Sequence, residues 1–254
     1  MILAIDMGNT NIVVGGIDEE KTYFLERITT VVNKTDFEFA IMLQGILNLT
    51  GYKPEDFDGA ILSSVVPQRN AMILNAVKKV FGLDALLVNP DMKFNLTIAI
   101  DDKNEIGSDL LVDSVAAIEE YEEPLCVIDM GTATTMFIID KEYRFIGGII
   151  HPGINLELSA LSNATAQLPE VDFEKPESII GKNTKDCMLS GVYFGHAAII
   201  DGTLARMEEE LGESITAIAT GGMASKVVPY CKHPITLDDT LLLKGLYILY
   251  KMNS

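Results

Sequence analysis

The feature that most constrains this chain is a short pattern that occurs twice, about half of its 254-residue length apart. Each copy is an apolar run that ends in Asp-Met-Gly, followed by small polar residues and a second apolar run. The copies read MILAIDMGNT at 1–10 and LCVIDMGTATT at 125–135. Apolar runs joined by a few turn residues predict a β-hairpin. One copy would be an ordinary turn, but two copies predict two related domains that face one ligand.

The turn of each predicted hairpin carries groups suited to phosphate. Gly8 lets the backbone approach a ligand closely. The backbone amides of Gly8, Asn9 and Thr10 and the Thr10 hydroxyl can donate to phosphate oxygens. Asp6 can hold a cation beside them. The second copy supplies similar groups at Asp129, Gly131 and Thr132.

Composition limits the class of protein and its partners. Hydrophobic residues make up 48% of the chain and charged residues 22%, which favours a globular fold with a sizeable core. The formal net charge is −18, whereas a nucleic-acid surface needs a basic patch, so we expect no nucleic-acid partner. An anionic membrane surface is disfavoured for the same reason. A phosphate site in such a chain needs a local cation, which favours Mg²⁺ or K⁺.

The cysteines and the absence of a long apolar run predict a compartment. Cys126, Cys187 and Cys231 lie far apart without a CxxC motif, as expected of free thiols in a reducing environment. We find no apolar run of the roughly 18 residues that a membrane helix needs. The sequence therefore predicts a cytoplasmic protein without a membrane partner.

The order of the remaining elements predicts an α/β fold. Strands grouped ahead of helices occur in each half, with helices predicted at 34–49, 70–81, 108–121 and 186–211. A strand at 215–220, the pair Gly221-Gly222 and a helix at 224–230 follow in the second half. Free amides at that helix start would contact a nucleotide.

Other common sites have no support in the sequence. We find no GxxxxGK[ST] motif, no GxGxxG after a strand and no GxSxG elbow. The three histidines and three cysteines show no zinc-ligand spacing, so a zinc site is not predicted. His196 is expected to be a packed residue of the helix at 186–211, and His151 to lie at a turn. Gly191 and Gly195 in that helix predict close packing against a neighbouring element.

The ordered set of motifs resembles the type III pantothenate kinase family. The matching segments are AIDMGNTN (4–11), SSVVP (63–67), GSD (107–109), IDMGTATT (128–135), GGIIHPG (147–153), IGKNT (180–184), SG (190–191), TGGMA (220–224) and LLLKGL (241–246). They follow the family order over nearly the whole chain. The resemblance implies the fold shared by acetate and sugar kinases, heat-shock ATPases and actin. That fold is a duplication of a ribonuclease H-like domain, a mixed five-stranded sheet with flanking helices.

The resemblance also implies domains, an activity and roles. The domains would be 1–122 and 123–254, with nucleotide and substrate in the cleft between them. The reaction would be ATP-dependent phosphorylation of pantothenate to 4'-phosphopantothenate, the first step of coenzyme A biosynthesis. By position, Asp109 is the general base, Asp6 organises Mg²⁺, and Asp129 lies near a monovalent cation, K⁺ or ammonium. The ATP contacts would be Asp6, Gly8, Asn9, Thr10, Gly131, Thr132, Gly221 and Gly222.

The substrate side of the family site would include residues from two subunits. Gly107, Ser108 and Asp109 match the loop that holds pantothenate. Family members are homodimers whose active site is completed across the interface, and Thr184 resembles the residue lent by the partner subunit.

One departure from the family pattern keeps two alternatives open. The family motif Gly-x-Asp-Arg is Gly107-Ser108-Asp109-Leu110 here, and leucine cannot replace the hydrogen bonds of arginine. Lys103 is a candidate source of the missing charge. His151 before Pro152-Gly153 also departs from the pattern. The alternatives are a kinase for another small hydroxyl compound, and a nucleotide-binding paralogue without kinase activity that serves a regulatory or accessory role.

Overall fold

Both predicted hairpins are present in the computed structural model, which describes residues 1–30 and 34–254. The strands are β1 (Ile2–Met7), β2 (Asn11–Ile17), β3 (Thr22–Thr29), β4 (Gly59–Ser64), β5 (Leu86–Leu87), β6 (Thr97–Ile98), β7 (Leu125–Met130), β8 (Ala133–Ile139), β9 (Arg144–Pro152), β10 (Thr216–Thr220) and β11 (Ile235–Leu237). The helices are α1 (Asp36–Thr50), α2 (Asn70–Phe81), α3 (Ser108–Glu120), α4 (Ile154–Asn163), α5 (Thr184–Leu211), α6 (Ala224–Val227) and α7 (Leu241–Asn253).

The chain forms two compact units that are not continuous in sequence. The first contains Met1–Leu96, Asp101–Glu119 and Thr240–Ser254, and the second contains Thr97–Ile100 and Glu120–Asp239. The first unit therefore includes the C-terminal helix α7. The predicted domains, 1–122 and 123–254, are the two halves of a duplicated chain rather than compact units. The boundary between residues 122 and 123 stays a prediction.

The first unit is built on a mixed five-stranded sheet in the order β3-β2-β1-β4-β5. β1 pairs antiparallel with β2 and parallel with β4, with Asp6 opposite Ser63 in the parallel register. β1 is apolar over Ile2–Ile5 and buried along its whole length, because helices of this unit cover the sheet. Leu3, Ile5, Leu43 and Ile73 belong to one buried core.

The second unit repeats the strand order of the first. Its sheet runs β11-β10-β7-β8-β9-β6, so β7, β8 and β9 form an antiparallel meander and β10 pairs parallel with β7. Apart from β6, this is the order of the first sheet, and the predicted duplicated α/β fold is confirmed. The expected five strands become six here because the two-residue β6, which precedes α3 in the chain, also pairs with β9.

Local signals set the helix ends. Thr35 accepts a hydrogen bond from the Glu38 amide and Glu38 caps the Thr35 amide in return, so α1 begins with a capping box. α1 ends at Gly51, whose φ of 82° is a left-handed conformation that glycine adopts readily. Among the described residues, we find no helix that is both long and apolar enough to cross a membrane.

Three local predictions were wrong. Gly191 and Gly195 lie within α5, but a Cβ at either position would meet nothing within 4 Å, so these glycines do not serve close packing within the chain. The helix predicted at 224–230 is α6 followed by a 3₁₀ turn over Val228–Tyr230. Pro229 lacks an amide hydrogen and cannot continue an α-helical ladder. His151 lies in β9 rather than at a turn, because this strand pairs with β8 up to residue 152.

We expect two mid-helix glycines of the first unit to respond to alanine with opposite signs. A Cβ on Gly245 in α7 would lie 2.0 Å from the Val112 carbonyl oxygen of α3, so Gly245→Ala should destabilise the fold by about 3 kcal/mol. Gly45 in α1 has nothing within 4 Å, so Gly45→Ala should stabilise it by about 0.5–1 kcal/mol. Urea unfolding measures both, and a Gly245→Ala protein as stable as the parent would contradict this packing.

Candidate active site

A buried carboxylate ends the first strand of the first unit. Asp6 is 9% exposed and lies opposite Ser63 on the neighbouring parallel strand. The Ser63 hydroxyl donates to Asp6 Oδ1 at 2.8 Å. The hydrogen bond orients this carboxylate at the carboxyl end of β1, where ligands of such sheets bind.

The same serine links the sheet to the start of α3. Ser63 Oγ lies 3.1 Å from Ser108 Oγ, and the Ser64 amide donates to Ser108 Oγ at 3.0 Å. Two adjacent residues of β4 therefore hold the first residue of α3. Asp109 comes next, so its backbone position is fixed relative to Asp6 by a short chain of hydrogen bonds.

Asp109 has the environment of a general base. It is half-buried in the first turn of α3, and its Oδ1 accepts from the Leu110 amide at 2.9 Å. Removal from water raises the pKa of the Asp109 carboxyl above its ordinary value of 3.8, and this outweighs the backbone hydrogen bonds that lower it. A raised pKa makes a carboxylate a stronger acceptor of a substrate proton. A Cβ on Gly107 would lie 2.3 Å from Asp109 Oδ1, so this glycine leaves space for the carboxylate.

The first hairpin presents its turn to solvent. The Gly8 amide donates to the Asn11 carbonyl oxygen at 3.0 Å, which closes the turn, while Asn9 and Thr10 are exposed. The hydroxyl of Thr30 on the neighbouring strand end donates to the Gly8 carbonyl oxygen at 2.8 Å. The Gly8 amide is therefore used within the turn, contrary to the prediction that it donates to phosphate, and Thr30 holds the turn from one side.

The second unit has a corresponding carboxylate at the end of β7. Asp129 lies opposite Thr220 on the parallel strand β10, as Asp6 lies opposite Ser63. Gly221 follows with a φ of 92°, and a Cβ there would lie 2.4 Å from Asp129 Oδ1 and 2.6 Å from the Met130 nitrogen. The structure therefore brings Asp129 and Gly221 together.

The second hairpin is supported by the loop that follows β9. Gly131 and Thr132 are exposed, and the Gly131 amide donates to the Ala133 carbonyl oxygen at 3.0 Å. The Gly153 amide donates to the Thr132 carbonyl oxygen at 3.1 Å. A Cβ on Gly153 would lie 2.3 Å from that oxygen, so glycine permits this contact.

Thr184 lies at the start of α5 in the second unit, beside a surface cavity. It is exposed at the first position of α5 and lines a surface cavity of about 540 Å³ together with Leu161 and Lys182. Asn183 caps this helix by accepting from the Asp186 amide at 2.9 Å. The predicted role of Thr184 in the site of a partner subunit stays a prediction.

The residues at the departure from the family pattern have ordinary contacts. Leu110 makes hydrogen bonds through its backbone. Its amide donates to Asp109 Oδ1, and its carbonyl oxygen accepts from the Ser114 hydroxyl at 2.7 Å. Lys103 Nζ lies 2.7 Å from Asp91 Oδ1 in an exposed ion pair. The positive charge proposed to replace the family arginine is therefore already paired at the surface.

Sequence reasoning underestimated two hydroxyl residues. Neither Ser63, in the segment SSVVP, nor Thr220, at the end of the predicted strand at 215–220, is among the predicted site residues. Both lie across a parallel strand pair from a site aspartate. Strand register, which the sequence alone does not give, is the signal that identifies them.

Comparisons with known proteins agree with this architecture. A sequence profile of the family described as type III pantothenate kinase matches residues 2–206. The solved structure of a putative 2-dehydro-3-deoxygalactonokinase from Sinorhizobium meliloti has a TM-score of 0.62 at 13% identity, covering 99% of this chain and 96% of that chain. A conserved putative Baf family transcriptional activator from Campylobacter jejuni has a TM-score of 0.59 at 19% identity, covering 98% of each chain. At such identities, these structures support the fold alone.

Curated relatives are much more similar in sequence. A type III pantothenate kinase from Exiguobacterium sibiricum is 40% identical over 254 residues, covering all of both chains. The type III pantothenate kinase of Halalkalibacterium halodurans is 37% identical over 253 residues, again over the full length of both. Similarity of this extent covers both hairpins and the segment around Asp109, and it shows that the chain belongs to the type III pantothenate kinase family.

Proposed function

We propose that this protein transfers the γ-phosphoryl group of ATP to the primary hydroxyl of pantothenate, forming 4'-phosphopantothenate. The observation that carries the proposal is the full-length identity of about 40% to type III pantothenate kinases. The hydrogen-bonded arrangement of Asp6, Ser63 and Ser108 beside Asp109 supports it. We also propose that the protein lies in the cytoplasm, because its three cysteines fit a reducing environment.

Each aspartate has a distinct role in this proposal. Asp109 accepts the proton of the attacking hydroxyl, for which its raised pKa suits it. Asp6 holds Mg²⁺ on the ATP phosphates; its carboxylate and the nearby serine hydroxyls supply the oxygen atoms that this ion prefers. Bound Mg²⁺ would neutralise charge that develops on the phosphates.

The second unit contributes the remaining ATP contacts. Asp129 holds K⁺ or ammonium near the phosphates, and Gly131 and Thr132, which are exposed at the turn of the second hairpin, lie against the phosphates. Gly221 and Gly222 lie against the nucleotide. The close approach between Gly221 and Asp129 supports a shared role for these two segments.

The test is ADP formation by the purified protein with Mg²⁺ and ATP, with and without pantothenate, in parallel K⁺, ammonium and Na⁺ buffers. We expect turnover that requires pantothenate and is faster in K⁺ or ammonium than in Na⁺. A panel of other small hydroxyl compounds serves as the control. Pantothenate-independent hydrolysis, a different preferred acceptor or no turnover with ATP still bound would contradict the proposal.

We also propose a homodimer whose active site is completed by Thr184 of a second copy. Seven large apolar side chains of the second unit are exposed: Ile146, Ile149, Ile150, Leu156, Leu161, Ile179 and Ile180. Ile150 is 79% exposed and Ile180 is 76% exposed. Exposed apolar surface of this extent is typical of protein interfaces.

We expect Ile150→Glu to convert a dimer into a monomer and to reduce kinase activity at low protein concentration. A buried unpaired charge costs several kcal/mol at an interface. Light scattering coupled to size exclusion measures the mass. The control is Leu49→Glu in α1, because Leu49 is 91% exposed on the other unit. A monomeric parent protein, or a dimeric Ile150→Glu variant, would contradict the proposal.

A further inference from the structure

Two histidines and one glutamate, none of which is a predicted ATP contact, meet in the second unit. His151 lies near the end of β9, Glu157 lies in the first turn of α4, and His196 lies in the middle of α5. Glu157 Oε1 lies 3.3 Å from Nδ1 of His151 and 3.3 Å from Nδ1 of His196. One ligand atom from each side chain lies within 4.8 Å of those of the other two. We propose that these three residues form a binding site for a divalent transition metal of the zinc class.

The distances fit the coordination shell of such an ion. Zinc binds imidazole nitrogen and carboxylate oxygen at about 2.0–2.1 Å, so two ligands of a tetrahedral site lie about 3.3 Å apart. Both Glu157-to-histidine separations have this value. Two nitrogens and one carboxylate favour zinc-class ions over Mg²⁺ or Ca²⁺, which prefer oxygen ligands only. The site is therefore chemically distinct from the Mg²⁺ and monovalent-cation positions proposed above.

A hydroxyl outside the three ligands orients one imidazole. His196 Nε2 lies 2.8 Å from Thr134 Oγ1, and Thr134 lies opposite His151 in the pairing of β8 with β9. Metal-binding histidines commonly donate their second nitrogen to such a partner, which fixes the tautomer that presents the other nitrogen to the ion. With Nε2–H donating to Thr134, Nδ1 of His196 has its lone pair directed towards Glu157.

Burial gives the cluster one closed side and one open side. The His196 side chain is 0% exposed, whereas those of Glu157 and His151 are 18% and 29% exposed. An ion can therefore enter beside His151, and water can take the fourth position. Three protein ligands with an open position are the usual arrangement of accessible zinc sites.

Without metal, hydrogen bonds hold the same residues. Nδ1 of His151 also lies 2.9 Å from the Pro152 carbonyl oxygen, which fits a protonated donor at this atom. When metal binds, Nδ1 of His151 gives up this hydrogen bond and its hydrogen, and the neutral ring carries a hydrogen on Nε2 instead. Nδ1 of His196 already has its lone pair free in the tautomer described above. The ion would connect β9 to α4 and α5. Gly153 follows His151 by two residues, and its amide donates to Thr132 in the second hairpin. The bound ion would therefore also stiffen this hairpin.

The test measures metal binding directly and does not depend on kinase activity. Protein stripped with a chelator is titrated with Zn²⁺ in competition with a chromophoric chelator, and bound metal is counted by mass spectrometry. We expect one Zn²⁺ per chain and a higher Tm of the Zn²⁺ form. His151→Gln and Glu157→Gln should each weaken binding at least about tenfold.

Two controls separate this site from surface binding. His233→Gln removes the third histidine, whose Nε2 lies 3.9 Å from Glu208 Oε1, and should leave the affinity unchanged. Cys187→Ser removes the exposed thiol and should also leave it unchanged. Circular dichroism checks that each variant is folded. If a ligand variant fails to fold, the visible absorption spectrum of Co²⁺ bound to the parent protein tests the proposal instead. Intense visible bands indicate a tetrahedral site. Weak octahedral bands, or equal Zn²⁺ affinity in His151→Gln and His233→Gln, would overturn the proposal.

Discussion

Replacing Asp109 by asparagine lowers kcat by about 10² to 10⁴, the usual cost of losing a general base, and changes the KM for ATP little. The amide cannot accept the hydroxyl proton but preserves the shape of the side chain and can still accept from the Leu110 amide. Because Ser108 is held by Ser63 and Ser64, the start of α3 should remain in place. Initial rates with pantothenate and ATP measure the effect.

The matched control is Asp101→Asn in the exposed segment before α3, which should keep parental activity. Both variants remove one negative charge from the same acidic region, so an effect of net charge would appear in both. An Asp109→Asn enzyme with parental kcat would show that this carboxylate is not the base.

The same substitution should raise stability at neutral pH. Desolvation holds the pKa of Asp109 above 3.8 in the folded state, so the folded protein binds the proton more tightly than the unfolded chain. Stability therefore falls as pH rises from the ordinary pKa to the folded pKa, and the charged form is penalised at neutral pH. The neutral amide of the Asp109→Asn variant avoids that penalty. Thermal unfolding at pH 7 should show a higher Tm for the variant, and kcat/KM of the parent should fall as pH drops through this pKa.

Gly221→Ala has the second large expected effect, a loss of about 3 kcal/mol of stability and about 10²-fold in kcat/KM for ATP. The φ of 92° is strained for any residue with a Cβ, by roughly 1–2 kcal/mol. The new methyl would also meet the Met130 backbone at 2.6 Å and displace Asp129, and overpacking of this kind costs about 1–3 kcal/mol. A displacement near 1 Å in a site can reduce the rate about 10²-fold.

Gly131→Ala is the matched control for stability in the same region. Its Cβ would meet the nearest atoms at 3.7 Å, which is ordinary contact, and its φ is not in the left-handed region. Denaturant unfolding should show a change well below that of Gly221→Ala. Equal losses from the two substitutions would mean that backbone strain at Gly221 is not the cause.

Much of the fold was predictable from local patterns. The two Asp-Met-Gly segments are hairpins at the ends of buried strands, as predicted, because alternating apolar runs and turn residues act over a few residues. The helix ends at Gly51 and Gly82 were also predictable from glycine, whose left-handed conformation is available locally. The duplicated α/β class followed from the repeat of these elements.

Contacts between distant segments were not predictable in this way. Helix α7 joins the first unit although it is last in the sequence, and Gly245 packs on the Val112 carbonyl oxygen. The expected contact of Gly191 and Gly195 within the chain was wrong, because glycine spacing indicates a flat helix face without indicating what covers it. Strand register paired Ser63 with Asp6 and Thr220 with Asp129.

The histidine cluster shows the same division most clearly. The sequence by itself predicted the two hairpins, the duplicated α/β class and the strands and helix that carry Asp6, Asp129 and Asp109. It contained no metal-ligand spacing for His151 and His196, because one lies on a strand and the other on a helix. Only tertiary packing of α4 and α5 on the sheet brings their Nδ1 atoms to Glu157. Local signals depend on backbone preferences over a few residues, whereas a site built across elements depends on which faces the whole core buries together.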